Sequence, residues 1–202
     1  PNTKTVFKKN SKWWGNVEHN LASIELLPIA NAATRVAALL SGEIDIVTDA
    51  PVQDLGRIGS SVSHKVESTP QMRTIFLGMD QGADQLRSGN TGDNPFKKKK
   101  VRQALYQAID IEAIQKKVMR GLSEPAGIIT FPGVTGYTKA LDKRLSYDPE
   151  AAKQLLADAG YPDGFDVELR CPNDRYVNDE AICTAVVGMF GKIGVNVSLN
   201  SQ

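Results

Sequence analysis

Between Asn94 and Gly121 apolar positions recur with helical spacing. Val101, Leu105, Ala108 and Ile109 fall at i, i+4, i+7 and i+8 of one face, while Arg102, Gln103 and Gln107 lie on the other. Asp110 then interrupts the run as an N-cap, with Glu112 in the next first turn, Ile114, Val118 and Met119 as a new apolar stripe, and Gly121 as the stop. Two short helices in tandem are predicted. A third is announced by Asp148 as cap, Pro149 at the first helical position, Glu150 toward the positive end of the dipole, and Ala152, Leu155, Leu156 and Ala159 as its stripe; Gly160 and Pro162 end it. From Phe165 the period changes to two. Phe165, Val167, Leu169 and Cys171 alternate with Asp166, Glu168 and Arg170 as a half-buried strand. A helix from about Asn178 to Ile193 carries Ile182, Val186, Met189 and Ile193 on its core face, and Val195, Val197 and Leu199 mark a returning strand. Strand, helix and strand of these lengths predict a parallel βαβ unit.

The first part of the chain is more broken. Thr5 to Lys8 predict a short strand, followed by a turn at Trp13-Trp14-Gly15 whose aromatics either plug the edge of a core or offer a stacking platform. Ile24 to Leu27 predict a second strand ending at Pro28, and Asn31 caps a helix with Val36, Leu39 and Leu40 on one face, stopped by Gly42. Gly42 to Val47 read as a returning strand, Pro51 as the opening of a short helix through Ile58, and Val62–Glu67 and Met72–Met79 as further extended segments. A loop rich in glycine and polar residues follows from Gly82 to Asn94. The shift in composition puts the expected boundary near residues 76 to 82, giving units 1–76 and 77–202.

Composition narrows the function classes. In 202 residues, 24 basic side chains nearly cancel 23 acidic ones, so no net field favours a nucleic acid or an anionic membrane. Lys97 to Lys100 form the basic run, and without a companion basic patch or interleaved aromatics it reads as a solvated helix start. His19 and His64 lack a flanking ligand pattern, so no metal site is expected. No serine elbow, phosphate loop or dinucleotide fingerprint is present, and neither an enzyme nor a cofactor is expected. Beginning at Pro1, without a leader or a spanning apolar run, the chain reads as a soluble fragment or mature chain. Cys171, closing a strand, and Cys183, early in the following helix, form either a disulfide or two buried thiols.

Candidate chemistry sits where the strand hands over to the helix, because ligands of open α/β sheets gather at the carboxyl ends of strands. That loop runs from Cys171 to Asp179 and contains Asp174, Arg175, Tyr176 and Asn178 as candidate ligand-binding residues. A guanidinium beside a helix start suits a carboxylate. Alternatively, Arg175 pairs with Asp174 or Asp179 and only pins the loop.

Several motifs together resemble the bacterial extracellular solute-binding proteins of family 5, the oligopeptide, dipeptide and nickel receptors of ABC importers. They are Asn94-Pro95-Phe96, Val101-Arg102-Gln103-Ala104-Leu105, Ala108-Ile109-Asp110, Val118-Met119-Arg120-Gly121, Gly42-Glu43-Ile44-Asp45 and Pro132-Gly133-Val134-Thr135-Gly136-Tyr137; Asn10 to Gly15 resembles the family's Asn-x-x-Tyr-Trp-Gly turn. The resemblance implies a class II periplasmic-binding-protein-like α/β fold, present here as part of a first lobe and much of a distal lobe, since members are more than twice as long. The segment at Met72 to Met79 would then cross between lobes as part of the hinge. It also implies a periplasmic monomer that closes on a short peptide, or in the alternative on another solute such as a sugar, opine or metal chelate, and delivers it to a membrane permease; a reading from a different class is a standalone interaction or nucleic-acid module that uses Lys97 to Lys100. Dipeptide-binding members carry Arg-Pro-Tyr in the loop described above, with arginine on the ligand's carboxylate; Arg175-Tyr176 align with it without the proline. The family's carboxylate for the peptide amino group lies beyond these residues, so weak or no binding is expected of this chain by itself.

Overall fold

The structure is a computed structural model that describes residues 3–89 and 92–202. Pro1 and Asn2, and Asn90 and Thr91 of the expected glycine-rich loop, lie outside the described residues. Packing divides the chain into two compact units, Pro1–Ala50 and Pro51–Gln202. The division falls between Ala50 and Pro51, whereas composition shifts at 76 to 82. Residues 51 to 76 belong with the second unit because they are tied into it: the Thr74 hydroxyl donates to the Ile129 carbonyl at 2.7 Å, and Arg73 to the Arg175 carbonyl at 3.3 Å.

In the first unit β1 (Thr5–Lys8) pairs antiparallel with β2 (Ser23–Leu26), Thr5 opposite Leu26. Every residue of both strands is exposed, as expected of a two-stranded ribbon too small to bury either face. Trp13 and Trp14, their rings 5.0 Å apart, do not plug a core edge: Trp14 is 88% exposed, since the hairpin supplies too little apolar surface to cover it. Helix α1 (Ala32–Ser41) forms as the sequence predicts. Asn31 accepts the Thr34 amide at its start, and the Gly42 amide returns to Ala38 and Leu39 at its end. Its buried face is Val36, Ala38 and Leu39.

The expected strand at Gly42 to Val47 is a series of bends, and Val62–Glu67 and Met72–Met79 are irregular. Alternation makes a strand only when a neighbour supplies ladder hydrogen bonds. Among the described residues these segments have no such neighbour. Between them α2 (Leu55–Gly59) begins four residues after Pro51, with a turn in between, and buries Ile58.

The core of the second unit gathers three helical faces and a two-stranded parallel sheet. Helix α3 (Lys99–Gln107) buries Val101, Ala104 and Leu105, and α5 (Pro149–Asp158) buries Ala152 and Leu156. Strand β3 (Phe165–Cys171), helix α6 (Asp179–Gly191) and strand β4 (Val195–Ser201) form the predicted βαβ unit, parallel from Phe165 opposite Val195 to Cys171 opposite Ser201. Val186 and Phe190 of α6, with Ile193, Phe165 and Val195, close the core. Each fully buried aliphatic side chain there contributes about 1.5–3 kcal/mol. At the root of the sheet Gly164 and Gly194 pass in backbone contact: a Cβ on Gly164 would lie 1.8 Å from the Gly194 carbonyl oxygen, and its φ is +75°.

After α3, Asp110 caps α4 (Ile111–Ala113) by accepting the Ala113 amide, and Ile114–Val118 continue as a π-helical turn in which the Met119 amide reaches back to the Ile114 carbonyl. The two predicted helices are therefore present, the second widened near its end. The lysine run is not merely solvated. Lys97 pairs with Asp84 at 2.5 Å, Lys98 with Asp93 at 3.1 Å and Lys100 with Asp158 at 2.9 Å.

Candidate functional site

The loop between β3 and α6 is organised by one carboxylate. Asp179, the first residue of α6 and 4% exposed, accepts the Arg175 and Tyr176 amides on Oδ2 at 2.9 and 3.3 Å, and the Glu180 amide on Oδ1 at 2.9 Å. A helix start leaves backbone amides unpaired, and here an inward-turned acidic side chain collects them together with two loop amides. Asn178 immediately precedes the helix with φ of 58°, in the left-handed region that asparagine tolerates better than most residues. Its side-chain amide donates to the Val118 carbonyl at 2.8 Å, fastening the loop to the π-helical turn.

A disulfide between Cys171 and Cys183 brackets the loop, with a Cα separation of 6.4 Å. This settles the alternative left open by the sequence. The bridge joins the last residue of β3 to the second turn of α6. The loop is thus held by a covalent tie, by the Asp179 carboxylate, by Asn178, and by Arg73 on the Arg175 carbonyl.

Of the four sequence-predicted residues, Asp174 and Arg175 are exposed and Tyr176 and Asn178 half-buried. The Arg175 guanidinium makes no hydrogen bond or ion pair among the described residues; the contact between Arg175 and Asp179 runs through the backbone amide. Asp174 likewise has no side-chain partner among the described residues. Burial, and after it the Asp179 charge, pushes the Tyr176 phenol above its ordinary value of 10.0, while Arg175 works against that rise. The phenol is therefore a neutral group at physiological pH. A pinned backbone with an exposed arginine and a neutral phenol can receive an anionic or carboxylate-bearing solute.

Asp179 and Arg73 are the residues that sequence reasoning missed as organisers. Asp179 carried a signal, an acidic residue in the first turn of a well-predicted helix, whereas Arg73 lies 102 positions from its acceptor and carried none. The loop lines neither of two open cavities, of about 370 and 400 Å³, found elsewhere on the molecule. Among the described residues no group of three or more His, Cys, Asp or Glu is placed to hold a metal ion, and no helix is long and apolar enough to cross a membrane.

The chain is 29% identical over 192 residues to Heme-binding protein A of Haemophilus influenzae, covering 92% of this chain and 32% of that protein. It is 30% identical over 162 residues to Glutathione-binding protein GsiB of Salmonella paratyphi A, covering 80% and 29%. The chain thus spans about a third of the length of these relatives. Among solved structures it superposes on a dipeptide binding protein from Pseudoalteromonas in complex with Met-Leu, with a TM-score of 0.75 and 27% identity over 100% of this chain and 38% of that one. The fold is that of part of a periplasmic binding protein of α/β type. Residues 1–202 match the bacterial extracellular solute-binding proteins, family 5 Middle, and the chain belongs to that family.

Proposed function

We propose that this chain is part of the substrate-binding component of an ABC importer, a monomeric periplasmic receptor that captures short peptides between two lobes and passes them to a membrane permease. The observation that carries the reading is the Arg175 guanidinium, without a hydrogen bond or ion pair among the described residues, on a loop whose backbone is fixed by Asp179 and by the disulfide. In this reading Arg175 receives the peptide carboxylate, Tyr176 packs beside it, and Asp174 and Asn178 border the site. The names of two similar proteins agree with a peptide ligand, one binding glutathione and the other Met-Leu. The disulfide suits an oxidising compartment such as the periplasm. Residues 1–50 would contribute to the first lobe and 51–202, the unit into which 51–76 are tied, to the distal one.

The test is the change in backbone amide chemical shifts when millimolar Met-Leu or its C-terminal amide is added to the chain. The free-carboxylate dipeptide should move the Arg175, Tyr176 and Glu180 resonances, its amide should not, and Arg175→Ala should abolish the response without lowering thermal stability. Equal responses to both peptides, or shifts confined to other segments, would remove the carboxylate role. A second reading, a metal-chelate receptor of the same fold, is favoured by the similarity to Heme-binding protein A. Perturbation of the same resonances by hemin and not by Met-Leu would decide for it.

A further inference from the structure

The run Lys97 to Lys100 is left unused by the proposed function, and the structure divides it. Three of its members are ion-paired, whereas Lys99 has no ion pair or side-chain hydrogen bond among the described residues. Lys99 instead lines an open groove of about 400 Å³ together with Arg102, Gln103 and Tyr106 of α3, at the i, i+3, i+4 and i+7 positions of one helical stripe. Lys143 and Leu145 contribute from a separate segment.

The two sides are locked together at Gly127. A Cβ there would lie 2.7 Å from the Lys143 backbone, so only glycine permits the approach. Arg144 lies over the Tyr106 ring, 4.3 Å from its centroid, and donates to the Ala126 carbonyl at 3.2 Å. No Asp or Glu lines the groove among the described residues. The adjacent carboxylate, Asp142, is engaged elsewhere: it accepts the Gly127 amide at 2.6 Å and the Tyr137 hydroxyl at 3.0 Å. Arg102 is anchored through Nη1 to the Phe96 and Lys97 carbonyls, which leaves its remaining N–H donors available. A chain with a net charge of only +1 thus concentrates unneutralised cations in one concave surface.

We infer that this groove binds a short acidic segment of a partner protein. Lys99, Arg102 and Lys143 meet its carboxylates, and Gln103 and Tyr106 supply neutral hydrogen-bonding groups. The cations come from two segments of the chain and the groove is open. That suits several carboxylates spaced along an extended backbone, whereas a single small anion is bound best by an enclosed site.

The probe is a fluorescein-labelled Glu-Gly-Glu-Gly-Glu-Gly peptide, followed by fluorescence anisotropy at low salt. Binding should saturate and should weaken about tenfold in Lys99→Glu/Lys143→Glu, while the double Lys192→Glu/Lys153→Glu variant, with the same change in net charge outside the groove, stays within about twofold. The proposal is overturned if the two double variants weaken binding equally, if the peptide does not saturate, or if inorganic phosphate at equal charge displaces it as well as unlabelled peptide does.

Discussion

Reducing the Cys171–Cys183 bridge tests how the candidate site is held. The bridge closes a ring with a sequence separation of 12, and both cysteines are buried. The loop-closure entropy that such a ring removes from the unfolded chain is worth about 3 kcal/mol. For a domain the size of the second unit, each kcal/mol moves the midpoint by about 2–4 °C, so the expected fall is about 6–12 °C. The assay is a thermal melt of oxidised protein, protein reduced with a phosphine, and Cys171→Ala/Cys183→Ala, monitored through the unit that contains the bridge. Amide hydrogen exchange adds a local readout. The Arg175, Tyr176 and Glu180 amides bond to Asp179 inside or beside the ring, so their exchange should accelerate more than that of the Leu105 amide in α3, which feels only the global loss. A midpoint change below about 2 °C, or equal acceleration throughout, would refute the reasoning that the bridge stabilises the fold and orders this loop.

Two further outcomes follow from the same packing. Gly164→Ala should cost about 3 kcal/mol or more, because a Cβ would meet the Gly194 carbonyl at 1.8 Å and φ is +75°; a urea melt showing less than about 1 kcal/mol would mean that the strand roots move apart easily. Acid should destabilise the second unit. Hydrogen bonds from the Tyr161 hydroxyl and then Lys98 hold Asp93 below its ordinary 3.8, Lys100 does so for Asp158, and the Gly127 amide for Asp142. A folded value below the unfolded one means that the stabilisation is present above the unfolded value and is lost as pH falls through the depressed one. Urea midpoints should therefore be level from about pH 7 to 5 and drop below about pH 4. A decline that begins above pH 5 would contradict this assignment.

Much of the second unit was legible because its signals are local and agree with one another. Asp148 and Pro149 specify a helix start from within a single turn, and the change from period two to helical spacing and back identifies β3, α6 and β4 before any contact is known. The segments read wrongly at 42–47, 62–67 and 72–79 share one property. Their alternation is real, but a strand is completed by a neighbour that local pattern does not supply. In the site, Arg175 either meets a ligand carboxylate or pairs with Asp174 or Asp179, and the sequence left both readings open, since charge in a loop does not reveal its partner. Of the two carboxylates that could have pinned it, Asp179 is occupied by backbone amides, and among the described residues neither it nor Asp174 pairs with the guanidinium, a tertiary detail that local pattern does not carry.

The same contrast explains why the candidate site belongs to the second unit. An arginine can recognise a carboxylate usefully only if its loop is ordered before the ligand arrives, because ordering during binding consumes affinity. Around Arg175 that order comes from four independent ties to β3, α6, the π-helical turn and Arg73. Trp13 and Trp14 have the chemistry of a recognition surface, yet they sit on a hairpin exposed along both strands, where the nearby turn is held by local hydrogen bonds from the Trp13 amide to the Asn10 carbonyl at 3.2 Å and from the Lys12 amide to the Asn10 side chain at 2.9 Å. Side chains of suitable chemistry occur in both units; the fixed backbone beneath them occurs around Arg175, and it is the reason to prefer that loop.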